Sequence, residues 1–176
     1  MDPNTWKHAS RGFRELVMAL IFAAAIILFV YQPVKVEGSS MMPGLVDSER
    51  IFINKYVYRL GMGGVQRGDT VVFSSLQDPR RSYIKRVIGT PGDLVEIRDG
   101  RVWLNASELS EPYVPDDYRD PSNMAPVRVP AGHYFVMGDH RSASNDSRSW
   151  GPLPMQAIYG KAVFVYWPPE RMGKLR

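Results

Sequence analysis

The chain has 176 residues, 44% hydrophobic and 23% charged, a globular composition that excludes a disordered polymer. Its net charge of +4 is scattered, with no Lys/Arg block interleaved with aromatics, so no nucleic-acid partner is read and the basic excess suits anionic lipid headgroups. Cysteine is absent, which excludes disulfides, zinc–thiolate sites and a thiol nucleophile.

The first element is apolar. Leu16 to Tyr31 reads LVMALIFAAAIILFVY, sixteen residues without a charge or a helix breaker. As a helix it rises about 24 Å at ~1.5 Å per residue, slightly short of the ~30 Å hydrocarbon core of a bilayer. Phe13 and the stem of Arg14 extend it by a turn, Trp6 and Tyr31 suit the two interfaces, and Pro33 is expected to stop it. Lys7, Arg11 and Arg14 precede the run and only Lys35 follows closely, so the positive-inside rule puts the N-terminus in the cytoplasm. The expected organisation is a cytoplasmic segment over 1–14, a single transmembrane helix over 15–32 and an extracytoplasmic domain over 33–176, in the plasma (inner) membrane. A buried core helix and a cleaved secretory signal ending near Gly38-Ser39-Ser40 compete with this. The first needs a larger protein around it, and the second places its cut nine residues beyond the run.

Short β-branched or alternating runs follow: Arg50–Val57, Thr70–Phe73, Tyr83–Ile88, Leu94–Ile97, Arg101–Leu104, Tyr134–Val136 and Lys161–Tyr166. Asp99-Gly100 between two such runs predicts a hairpin with a type I′ turn, which needs positive φ at both central residues. Glu108 to Pro130, rich in Pro, Asp and Ser, predicts a long loop, so that about 99–130 forms a hairpin and loop excursion. Helical periodicity outside the anchor is weak. The fold expected is mostly β, a single N-terminal transmembrane helix followed by an antiparallel domain of small curved sheets.

Three segments stand out chemically. Gly38-Ser39-Ser40-Met41-Met42-Pro43-Gly44 offers hydroxyls among small residues, where successive N–H groups suit an oxyanion hole. Tyr83-Ile84-Lys85-Arg86-Val87-Ile88 places a lysine in an apolar strand. Gly138-Asp139-His140-Arg141-Ser142-Ala143-Ser144-Asn145-Asp146-Ser147-Arg148 is a polar loop. The three histidines and the carboxylates show no metal-ligand spacing, so no metal or cofactor is expected, and His133 and His140 read as surface or turn residues.

Taken in order with Arg67-Gly68-Asp69-Thr70-Val71-Val72-Phe73, these segments resemble the sequence boxes of bacterial type I signal peptidases, the leader peptidases. The resemblance runs from the apolar segment to residue 167 and implies a signal-peptidase-like β-fold and a Ser–Lys serine protease. By that resemblance Ser40 is the nucleophile and Lys85 its general base. Gly38, Ser39 and Ser144 are oxyanion and orienting residues, with Ser144 hydrogen-bonded to the lysine amine. Arg86, Asp139, Asp146 and Arg148 brace the site, and Met41 and Met42 line a substrate pocket or touch the membrane. The implied partners are the lipid bilayer and secretory preproteins with small residues before the cut. Gly44, His140 and Ser142-Ala143 depart from the family's usual Thr, Asn and Asp-Asn. A lysine works as a base only if burial lowers its pKa from ~10.4, and guanidinium stays charged, which singles out Lys85 over Arg86. Two other readings stay open: a narrow-specificity Ser–Lys peptidase of the transfer-peptidase kind, and an inactive membrane-anchored binding module.

Overall fold

The computed structural model describes residues 3–56, 58, 64–75, 78 and 80–175. Internal contacts divide the chain into two units, Met1–Gln32 and Pro33–Arg176.

In the first unit, helix α1 runs from Pro3 to Val30. Phe13, Leu16, Met18, Leu20, Ile21, Phe22 and Phe29 are exposed on it. Among the described residues no helix is long and apolar enough to cross a membrane. Of the span expected over 15–32, residues 15–30 are helical and the last two are not. Arg11, Arg14 and Glu15 lie within the helix, with Arg11 Nε donating to Glu15 at 3.2 Å. At the other end the helix stops at Val30 and Tyr31 enters strand β1 (Tyr31–Lys35), so Pro33 lies inside a strand and does not cap the helix. β1 is an edge strand, where a residue without an N–H is tolerated.

The second unit is antiparallel β. Its strands are β2 (Arg50–Asn54), β3 (Thr70–Ser74), β4 (Ser82–Gly89), β5 (Leu94–Arg98), β6 (Arg101–Leu104), β7 (Ser107–Glu108), β8 (Met124–Arg128), β9 (His133–Met137), β10 (Leu153–Pro154), β11 (Ile158–Trp167) and β12 (Gly173–Lys174). One sheet has the order β1-β2-β11-β3-β4-β9-β10, with β12 also on β11, and a smaller sheet has the order β7-β6-β5-β8. Register shifts in β11 and between β4 and β9 mark bulges that curve the larger sheet.

Side-chain alternation sorts the core into faces. Val71 and Phe73 of β3, Val87 of β4 and Tyr134 and Val136 of β9 share one apolar cluster. Their neighbours face the other way: Val72 packs with Ile51, Ile53 and Val165, and Ile88, Phe135 and Met137 pack against Val95, Ile97 and Val102 of the smaller sheet. Gly89 lies where the two sheets close on each other. A Cβ there would come within 2.7 Å of Val95 and 3.2 Å of Phe135, so only glycine fits. Gly89 is also opposite Phe135 in the ladder, so the chain leaves the larger sheet and returns to it at adjacent positions.

Asp99 and Gly100 have φ of 48° and 74°, and Arg98 pairs with Arg101, giving the tight hairpin that the dipeptide predicted. The Glu108–Pro130 segment differs from expectation. Its last third forms β8 on β5, and a 3₁₀ turn occupies Asp116–Tyr118.

Candidate active site

Residues 36–49 form a closed loop. Val36 N–H donates to the Glu49 carbonyl at 2.7 Å and Ser48 N–H to the Val36 carbonyl at 2.9 Å, which staples the two ends together. Within it, Met42 N–H donates to the Ser39 carbonyl, closing a tight turn that contains Ser40, and Leu45 N–H donates to the Met41 carbonyl in a second turn just after it. Met41 and Leu45 are inserted into the core beside Val36 and Ile51. Met41, at 3% exposure, therefore anchors the loop from beneath and is not placed as a substrate or membrane contact; Met42 is half-buried. Gly38, at φ 91°, holds a conformation that side chains disfavour, and its N–H donates to Asp47 Oδ1 at 2.7 Å. That bond commits the Gly38 N–H to the loop and removes it from any oxyanion hole. Ser39 is exposed.

Lys85 lies in the middle of β4, opposite Val71 of β3 and on the same face as Val87. Its side chain, only 4% exposed, reaches Ser40: Nζ lies 2.7 Å from Ser40 Oγ, across 45 residues of sequence. Burial lowers the amine from its ordinary 10.5 to about 8, and Arg148 pushes in the same direction, against the pull of Asp146 and Asp139. Arg86, next along the strand, points to the opposite face. It forms a two-pronged pair with Asp139 at 2.8 and 2.7 Å, donates to the Gly68 carbonyl at 3.0 Å and stacks 4.2 Å over the Tyr113 ring.

The loop after β9 closes the site. A Cβ on Gly138 would fall 2.4 Å from the Ser40 carbonyl and 2.3 Å from Ser144 Oγ, so the chain passes Ser40 at a distance only glycine permits. His140 then binds the Ser40 loop twice, its N–H donating to the Ser40 carbonyl at 3.1 Å and Nδ1 lying 3.2 Å from the Ser39 carbonyl. It is thus a joint between loops, more than a surface residue. Asp146 accepts from Gly138 N–H at 3.0 Å and from Arg148 Nε at 2.8 Å, and it caps the short helix α2 (Ser147–Trp150). Arg148 also donates to the Arg141 and Ser144 carbonyls at 2.6 and 3.2 Å. Ser144 Oγ is buried with no hydrogen-bond partner among the described residues, so the bond to Lys85 implied by the resemblance is not made here.

Sequence reasoning missed a further ion pair at the site. Glu111, from the excursion, is buried against Arg141, whose Nη1 donates to it at 2.9 Å and whose Nε donates to the Gly138 carbonyl at 3.0 Å. Tyr113 donates to Glu111 at 2.9 Å, and Asp120 accepts from Arg148 Nη1 at 2.9 Å. No local signal marks these acids; their partners lie 30 and 28 residues away.

Ser40 and Lys85 open onto a groove of about 330 Å³ lined by Phe73, Tyr83, Ala143, Asn145 and Trp150. A hydroxyl bonded to a buried amine of lowered pKa, at the floor of an open groove, is the arrangement of a hydrolase working through an activated serine. A profile of the family described as "Signal peptidase, peptidase S26" matches residues 10–167. A probable signal peptidase I-1 of Synechocystis sp. is 37% identical, the alignment covering 98% of this chain and 90% of that one. Signal peptidase I T of Bacillus subtilis is also 37% identical, over 93% of this chain and 88% of that protein. A crystallised signal peptidase I from Enterococcus faecalis aligns with 56% of this chain and 97% of its own, at 31% identity and a TM-score of 0.49. The chain belongs to the peptidase S26 family of signal peptidases, and is a hydrolase of the serine endopeptidase class.

Proposed function

We propose that the protein removes N-terminal signal peptides from secreted preproteins at the outer membrane surface, with Ser40 as nucleophile and Lys85 as general base. The observation that carries this reading is the 2.7 Å approach of Lys85 Nζ to Ser40 Oγ, with the amine held at about 8 by burial. Neutral Lys85 takes the Ser40 proton as Oγ bonds to the scissile carbonyl carbon. The resulting oxyanion is held by backbone, chiefly the Ser40 N–H, since the Gly38 N–H is bonded to Asp47. Collapse breaks the C–N bond, the Lys85 ammonium protonates the departing amine, and Ser40 is left as an ester. Water, deprotonated by Lys85, then hydrolyses that ester and restores the serine. The rotatable Ser144 hydroxyl is the orienting partner of the amine during this cycle.

The exposed apolar surface of α1 supports an uncleaved anchor, with the N-terminus cytoplasmic and residues 33–176 outside. The family's taste for small residues at the first and third positions before the cut is taken as the substrate rule. The test is cleavage of a radiolabelled preprotein in detergent by wild type, Ser40→Ala and Lys85→Ala, with sequencing of the product's N-terminus. Cleavage after a small-x-small site by wild type alone supports the reading; processing by Ser40→Ala sinks it.

A further inference from the structure

We propose that Arg171, in the chain's last segment, is a positioning residue that holds Ser40 in register with Lys85. The inference rests on the reading of Ser40 as nucleophile, and Arg171 lies beyond residues 10–167 that match the family. The two members of the pair are carried differently. Lys85 is on a central strand bonded on both sides, whereas Ser40 is on a loop. A displacement of about 1 Å between reacting groups costs about 10²-fold in rate, so the loop needs restraint beyond its own turns.

Arg171 supplies it from behind. Its Nη2 donates to the Pro43 carbonyl at 3.0 Å and approaches the Gly44 carbonyl at 3.5 Å, three and four residues beyond Ser40. Its Nε donates to Glu49 Oε1 at the loop's far end. Glu49 is 1% exposed, and its second oxygen accepts from Val46 N–H at 2.9 Å. One guanidinium therefore fastens the middle of the loop to its base. The arginine is itself fixed, because it ends a 3₁₀ turn (Pro169–Arg171) and is followed by β12, which pairs with Phe164 and Val165 of β11. Planar donors that reach a carboxylate and a carbonyl together are a property of arginine that lysine does not share.

The test uses the full chain with Arg171→Ala, Arg171→Lys and the double variant Glu49→Gln/Arg171→Met, with Ser40→Ala alongside. Arg171→Ala is expected to lower kcat by about 10–100-fold with KM within about twofold, and to leave the pH midpoint near 8, because Lys85 is untouched. Arg171→Lys recovers part of that loss. The double variant carries no stranded carboxylate, so its thermal midpoint returns while kcat stays low. Wild-type kcat in the double variant would reduce the contact to charge compensation and overturn the proposal, as would full activity of Arg171→Ala. Cleavage by Ser40→Ala instead removes the nucleophile reading beneath it, so the two failures are distinguishable.

Discussion

Val71 and Lys85 are directly opposed across β3 and β4, so the ladder neighbour of the amine is a fully buried apolar side chain. That environment disfavours the ammonium and sets its midpoint at about 8. Preprotein cleavage is therefore expected to rise from pH 6 to 9 with a half-point near 8, following loss of the Lys85 proton. A rate that is level across this range removes Lys85 as the titrating base.

The same burial opposes folding. Below about 8 the amine is charged in both folded and unfolded chains, and the folded state bears the desolvation; between about 8 and 10.5 the unfolded chain binds the extra proton, so this penalty fades as pH rises. At ~1.4 kcal/mol for each pH unit in that window, the penalty at neutral pH is about 3 kcal/mol. Lys85→Met is expected to be inactive yet more stable than wild type at pH 7, with the gap closing toward pH 10. Urea titrations at the two pH values measure it.

Gly138→Ala places a methyl carbon against the Ser40 carbonyl and the Ser144 hydroxyl. Both loops must then separate, so a fall of about 10²-fold in kcat is expected, together with a loss of about 1–3 kcal/mol from overpacking. Steady-state kinetics beside a denaturation curve test both parts.

Ser144→Ala should split activity from stability. Among the described residues its hydroxyl is buried without a partner, so deleting it relieves a cost of about 1–3 kcal/mol and the thermal midpoint should hold or rise. If the hydroxyl orients Lys85 during turnover, kcat falls while folding does not suffer. Unchanged kcat would strip Ser144 of that role.

Glu111→Gln leaves the Arg141 guanidinium buried and uncompensated. Breaking one side of such a pair is expected to cost about 3–5 kcal/mol, and Glu111→Gln/Arg141→Met, which removes both charges, should recover most of it. A double-mutant cycle by chemical denaturation reads the coupling.

What the sequence disclosed depended on how local the cause was. Asp99-Gly100 was readable because positive φ at two adjacent residues has few solutions. The strands at 70–74, 82–89 and 101–104 were readable because each is a short run rich in β-branched or other apolar residues, bounded by polar, Gly or Pro turns. β8 was not, since Pro126 and its mostly exposed side chains give no alternation; it lies at a sheet edge, where proline is allowed. The apolar run was seen correctly as a helix, but its end at Val30 is set by pairing of the following residues in β1, which no helix signal contains. At the site, Ser40 and Lys85 were found by likeness of four boxes, and their contact adds geometry to it. Glu111 and Arg171 stayed hidden because a lone charge reads as solvated until a partner many residues distant is known.

Because Gly89 and Phe135 are ladder neighbours, everything between them is topologically a decorated hairpin loop. The smaller sheet is in that sense a cassette, exchangeable without re-threading the larger one. Among the described residues, two acids of the connection between β7 and β8 are wired to the loop beside Ser40: Glu111 through Arg141 and Asp120 through Arg148. A minimal version of the enzyme would keep those two carboxylates, and an apolar cover for Ile88, Phe135 and Met137 in place of Val95, Ile97 and Val102. Length can change in that stretch while Ser40, Lys85 and the frame between them stay in place.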